Sequence, residues 1–259
     1  MTETDDGPLL PAEPPAARPR RGATSFGRLA HALREQNWFS LVLEIVIVFV
    51  GVALAFGMDN LREQRNERAV ADQYVAGFMK DLRGDLDMLA SNIEAREAQV
   101  RATHVALAFY EGRELNVDAF FEAFYPVLHS QGIAPNRNTM DEVLNSGSLR
   151  LISDPAVRGS ILNLYAHYDR ILGSEAHIDR DFETYLYDRT FSAVPFQHRG
   201  PWAETPGSRL AAEKLIADLT IENGLRLVLA NVEDEGGLLD QLRLARSEVD
   251  HLLQLLESE

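Results

Sequence analysis

No cysteine occurs among the 259 residues of this chain, which removes disulfides, thiolate metal sites and thiol nucleophiles at once. The absence leaves the compartment open, because a cysteine-free domain is compatible with oxidising and reducing surroundings alike. Lysine is nearly missing as well: Lys80 and Lys214 are the only two, so almost all positive charge is guanidinium. Positive charge as a whole is short, with 25 basic residues against 40 acidic ones. Ahead of Trp38, five arginines are balanced by five acids, whereas from Asp59 onward 20 basic residues face 34 acidic ones. A segment that negative repels phosphate backbones, whose binding rests on Lys and Arg displacing counterions, so nucleic acid is not an expected partner. P-loop, dinucleotide and nucleophile motifs are absent. No catalytic residue, metal or cofactor is therefore expected.

What is present is arranged in blocks. Residues 1–23 hold Pro8, Pro11, Pro14, Pro15 and Pro19 among small and charged residues, the composition of a disordered tail. Within residues 24–37, Phe26, Leu29, Ala30 and Leu33 recur at helical spacing beside Arg28 and Arg34, which predicts an amphipathic helix lying in a lipid headgroup plane. Trp38 to Met58 is then a run of 21 residues with one charge, Glu44. At 1.5 Å rise per residue such a helix measures roughly 30 Å, the thickness of a hydrocarbon core. A cleavable signal peptide competes, since Ala53, Leu54 and Ala55 spell a small-x-small pattern. The run exceeds a signal-peptide core, however, and no polar stretch precedes the cut, so a retained transmembrane helix is expected. Five arginines lie in the 20 residues before the run and three, Arg62, Arg65 and Arg68, in the 20 after. That bias predicts a cytoplasmic N-terminus and an extracytoplasmic domain over residues 59–259, periplasmic in a two-membrane bacterium, with the protein in the inner membrane.

Beyond the run the pattern is helical throughout. Tyr74, Phe78, Leu82, Leu89, Ile93, Val100 and Leu107 fall near heptad spacing in a stretch from Asp59 to Tyr110 without proline. One long helix continuing out of the membrane is the expectation. A short helix from Val117 to about Leu128 leads to a polar loop around Gly132 and Pro135. Thr139 and Glu142 have capping-box spacing for a brief helix ending near Gly147. Ser153 and Asp154 before Pro155 start a long helix that runs past Gly173 to about Phe191. Ser192 to Gly207, with three prolines, reads as loop, and Ser208 to Asp218 as a further helix. Leu225 to Leu256 keep an a/d apolar spacing, interrupted at Glu235 or Gly236 and again at Arg246. The fold class is thus all-α: a single transmembrane helix continuing into a long-helix, coiled-coil-like bundle.

Three segments carry a resemblance. The apolar run LEIVIVFVGVALAFGMDN, the exit LREQRNERAVADQY and the segment TMDEVLNSGSLRLISDPAVRGSILNLYAHY resemble an uncharacterised bacterial family of single-span membrane proteins with a glutamate-containing span and a helical extracytoplasmic domain. The likeness covers about half of the chain. It implies the architecture and brings no activity or ligand with it.

Two groups of residues stand out as candidate sites. Glu44, Val48, Gly51, Ala55 and Met58 share one helical stripe, on which Gly51 and Ala55 form a small-xxx-small pair suited to close helix approach. A carboxylate inside a span costs a few kcal/mol or more unless paired, protonated or near water, so Glu44 reads either as a packing or proton site or as a side chain reaching the interface. Gly147 with Tyr165 and Tyr168 could frame a ligand corner, against the simpler reading of a buried helix-turn-helix bend. Seven scattered histidines offer little: Glu248 and His251 give one Glu-x-x-His where a di-iron bundle needs two, and His177 with Asp181 makes a single surface pair. The expected function is a non-enzymatic, membrane-anchored helical scaffold or sensor that self-associates or binds a membrane protein partner. The alternative is an accessory subunit of an ion-driven motor or transporter that uses Glu44 in the membrane.

Overall fold

The computed structural model describes residues 38–129, 131–193, 201–202 and 204–258. The tail of residues 1–23 and the amphipathic segment of residues 24–37 lie outside the described residues. All regular structure described is helical, and the all-α expectation holds. In order, the elements are α1 (Trp38–Tyr110), α2 (Val117–Val127), α3 (Asn138–Ser146), a 3₁₀ turn (Ser148–Leu151), α4 (Pro155–Phe182), a π turn (Glu183–Tyr187), α5 (Asp188–Ala193), α6 (Ser208–Ile216), α7 (Leu219–Val232) and α8 (Leu238–Glu257).

The chain divides into two compact units, residues 1–64 and residues 65–259. In the first, the described part is the opening of α1, long and apolar enough to cross a membrane, with every described side chain from Val42 to Gln64 exposed. In the second, the rest of α1 is the spine. Its polar ends fix the register of the helices beside it. His104 meets Glu233, Glu97 meets Arg243 and Arg83 meets Glu257, so α8 runs antiparallel to α1. Tyr168 reaches Asp85 and Glu175 reaches Arg96, so α4 runs parallel to it. Antiparallel contacts between α4 and α8 close the bundle, with His167 Nδ1 2.7 Å from Glu248 Oε2 and Ser174 Oγ donating to Gln241 Oε1.

Local chemistry explains the element ends. Asp154 accepts the amide of Ala156 and Pro155 occupies the first helical position, where no donor is needed. Asn116 and Asp218 cap α2 and α7 in the same way. Gly147 ends α3 at φ +66°, a conformation that favours glycine. Two expectations are corrected. The capping box of Thr139 and Glu142 does not form: the N-cap of α3 is Arg137, two residues earlier, and the Thr139 amide is capped from across the bundle by Asp81 Oδ2 at 3.1 Å. At the C-terminus only the first interruption is real, a turn at residues 233–237 with Gly236 at φ +76°. Nothing breaks at Arg246, because Ala245 keeps the buried seam going between Leu242 and Val249.

Burial along α4 falls at Val157, Ile161, Leu164, Tyr168, Ile171, Glu175, Ile178 and Phe182, alternating steps of four and three. It then steps by four to Leu186 and by four again to Thr190. In a regular helix each step of four overshoots a full turn by about 40°, so repeated fours would walk the face away from the core. The wider π turn takes up that overshoot and returns Leu186 inward. Gly224 of α7 lies opposite, where a Cβ would stand 2.7 Å from Leu186 Cδ2.

At the far end of α1, Phe109, Phe120, Phe121 and Phe124 form an edge-to-face and stacked cluster, extended by Tyr125 and Trp202. Phe120 is wholly buried at its centre. Phe120→Ala should destabilise the helical unit by about 3–5 kcal/mol. Urea denaturation followed by helical circular dichroism tests this, and a midpoint equal to wild type would show that the cluster does not hold α2 to α1.

Candidate functional site

The buried seam of α1 is not the apolar stripe alone. Asp81, Asp85, Asn92, Arg96, Gln99 and Thr103 are all buried, spaced by three, four or seven residues, side by side with Phe78, Leu82, Leu89 and Val100. Six polar side chains on one inner stripe of a helix demand partners, because a buried polar group left unpaired costs about 1–3 kcal/mol. Thr103 and Asn92 turn back to carbonyls of their own helix. Of the other four, Asp85, Arg96 and Gln99 reach the non-helical segment between α2 and α3, and Asp81 caps the first turn of α3 that follows it.

That segment would otherwise bury unpaired backbone groups. Gln99 Nε2 donates to the carbonyls of Val127 and His129, at 2.9 and 3.1 Å. Gln99 is itself oriented by Arg96 Nη1, which donates to its Oε1, while Arg96 Nη2 donates to the Gln131 carbonyl. Glu175 of α4 accepts the Ile133 amide at 3.0 Å, and Gly132 passes so close that a Cβ would lie 3.1 Å from its carboxylate. Asp85 Oδ1 accepts both the backbone amide and the side-chain amide of Asn136 at 2.8 Å. Tyr165 donates to the Asn136 carbonyl and Tyr168 to Asp85 Oδ2. Gly77 and Gly84 of α1 sit beneath this junction, where a Cβ would press on Thr139 and Asn136.

Electrostatics follow from depth. Arg96 is 1% exposed and Glu175 4%, and they face each other at 3.5 Å, an ion pair rather than a tight hydrogen bond. Among the described residues, Arg96 Nε and Glu175 Oε1 find no hydrogen-bond partner. Desolvation lowers the Arg96 pKa, opposed by Glu175 and Asp179. Desolvation also raises Glu175, opposed by the Ile133 amide and Arg96. Asp85 is raised by burial, against the pull of Asn136 and Tyr168. Burial and the neighbouring Asp85 carboxyl push both Tyr165 and Tyr168 upward.

The structure separates the proposed ligand corner. Tyr165 and Tyr168 stand together, rings edge-on at 5.7 Å, with both hydroxyls engaged. Gly147 closes α3 at the other end of that nine-residue helix from Asn136, roughly 13 Å along its axis. Glu44 shares a shallow apolar groove with Ile45, Val48, Phe49 and Val52 in the first unit, and a Cβ at Gly51 would meet open space. Gly51 and Ala55 are exposed. Glu248 pairs with His167 rather than with His251, and His177 lies 3.6 Å from Asp181 on the surface. Among the described residues no three His, Asp or Glu side chains converge as metal ligands. The chain matches no protein-family profile, no curated protein and no solved structure.

The arrangement acts as a clamp that gives a loop a fixed shape. Its pH dependence has a definite sign. With the folded-state pKa of Asp85 raised, its contribution to stability is complete below the unfolded value near 4 and is lost as pH rises through the raised one. The stability of wild type relative to Asp85→Asn should therefore grow as pH is lowered from neutrality toward the unfolded value near 4, read from denaturation midpoints. A difference that stays flat would mean that Asp85 ionises as readily in the fold as in the unfolded chain, and one that shrinks on acidification would mean that it ionises more readily in the fold.

Proposed function

We propose that this protein is a membrane-anchored, non-enzymatic helical scaffold or sensor. The observation that carries the reading is the contrast within α1. From Val42 to Met58 every large apolar side chain is exposed, Phe49 to 73%, whereas Phe78, Leu82 and Leu89 farther along are fully buried. Contiguous apolar exposure on that scale is stable only against a lipid bilayer or another helix. The arginine bias supports a cytoplasmic N-terminus, with the helical domain outside the inner membrane. The clamp supports a binding or transmitting role over catalysis, since Tyr165, Asp85 and Glu175 are spent on holding backbone and Tyr168 on holding Asp85.

Within the bilayer, Glu44 faces the groove of Ile45, Val48, Phe49 and Val52. A carboxyl group there favours a partner surface, either a second copy joined through the Gly51 and Ala55 face or a membrane protein. The second reading, an accessory subunit of an ion-driven motor or transporter, rests on the same residue with Glu44 exchanging protons. Purification in mild detergent separates the two: a homo-oligomer supports the scaffold, a stable multi-span companion the subunit. Glu44→Ala should lower self-association in a membrane two-hybrid assay by several-fold. An alkaline phosphatase fused after Glu257 should be active in a two-membrane bacterium, and an inactive fusion would reverse the topology.

A further inference from the structure

The helices of the second unit do not end level with one another. The last helical residue of α8, Glu257, meets Arg83 of α1, so α8 stops there. α3 runs the other way past the spine, from Thr139 beside Asp81 to Ser146 beside Tyr74. The 3₁₀ turn after it goes farther, and Arg150 pairs with Glu67 at 3.1 Å. Among the described residues this corner, residues 144–151, is the part of the unit that reaches the earliest residues of the spine, where the chain comes in from the apolar run. Only eight residues lie between Met58 and Glu67, a stretch of at most about 32 Å when fully extended.

The composition of the corner differs from the domain around it. From Asp59 onward acids outnumber bases by 34 to 20, yet Val143 to Ser153 contains no acid and one arginine. Leu144 is 51% exposed, although its neighbours Val143 and Met140 are buried, and Leu149 is only partly covered. Arg150 is exposed in its pair with Glu67, and Arg65 and Arg68 are exposed on the spine nearby. Exposed ion pairs are weak, so Arg150 is available to phosphate, with further donors on its guanidinium. An apolar side chain flanked by guanidinium groups is the chemistry that seats in a headgroup layer carrying negative charge.

We propose that the corner formed by Leu144, Leu149 and Arg150, with Arg65 and Arg68, rests on the bilayer surface and binds anionic lipid headgroups. This gives the domain a second membrane contact besides the span. The inference rests on the anchored reading above, and the test keeps their failures apart. Because the chain has no cysteine, Leu144→Cys, Leu244→Cys and Phe49→Cys each give one labelling site for an environment-sensitive fluorophore. Leu244 is an exposed leucine on α8, next to Arg243 and so level with Glu97 of the spine.

The full chain is reconstituted into phosphatidylcholine vesicles with and without phosphatidylglycerol, using spin-labelled lipids as quenchers. The label at residue 144 should be blue-shifted and quenched several-fold more strongly than that at 244, and more so with phosphatidylglycerol. Arg150→Glu should remove the gain from the anionic lipid while leaving the thermal melt unchanged. A label at 144 that behaves like the one at 244, while that at 49 is quenched, overturns the proposal and leaves the anchor standing. Failure at 49 removes the anchor itself. A blue shift at 144 without lipid quenching means that protein covers the corner, and equal quenching in both vesicle types means that no anionic headgroup is bound; either result overturns the proposal.

Discussion

A segment of backbone that leaves helical geometry inside a helical bundle loses the partners its own ladder would have supplied, and the interior offers no water to replace them. The stretch between α2 and α3 is such a segment, and the spine of the domain is built around its needs. Three polar side chains of α1, Asp85, Arg96 and Gln99, with Glu175 and Tyr165 of α4, answer its amides and carbonyls in turn, and Tyr168 holds Asp85 in place. α1, α4 and the loop are thereby held in one register. The burial of charge that this entails is costly, and two atoms of the Arg96 and Glu175 pair stay unsatisfied among the described residues. Well-packed apolar residues would hold two helices together at less cost. What the polar seam gives instead is a single position for a loop that has no fold of its own.

Much of the architecture is legible in the sequence, for reasons that can be named. Asp154 followed by Pro155 is a helix start wherever it occurs, because side chain and ring both fit that place. Gly147 and Gly236 mark turns, since their φ values exclude most other residues. The apolar run announces its length directly. Leu82, Leu89 and Val100 show the inner face of α1 by spacing alone.

The polar seam was hidden by the same logic. Asp81, Asp85, Arg96 and Gln99 read as a solvated face when each is weighed singly, and only their helical spacing, in step with the apolar stripe, betrays them. The polar loop around Gly132 and Pro135 is the second half of the signal. Thr139 misled for a related reason: its spacing to Glu142 suits a local cap, but a carboxylate from a distant turn of α1 arrives first. The candidate site on the span is different. Its meaning depends on what lies against Glu44, and among the described residues the groove there is lined by neighbours on its own helix alone.

The π turn at Glu183–Tyr187 has a consequence for how this domain can change over time. It behaves as one surplus residue stored in an otherwise continuous rod, held in place because Leu186 fits against a glycine on α7. Losing that residue would restore an ordinary helix whose buried positions again step by four and three, so everything beyond it would keep the same face toward the core. Thr190 and the aromatic pair Tyr187 and Phe191 would keep their direction, with the clamp at the opposite end of α4 undisturbed. The rod can thus change its length by one residue at this point without re-aiming either end, and a single-codon deletion here is the kind of change it is built to absorb.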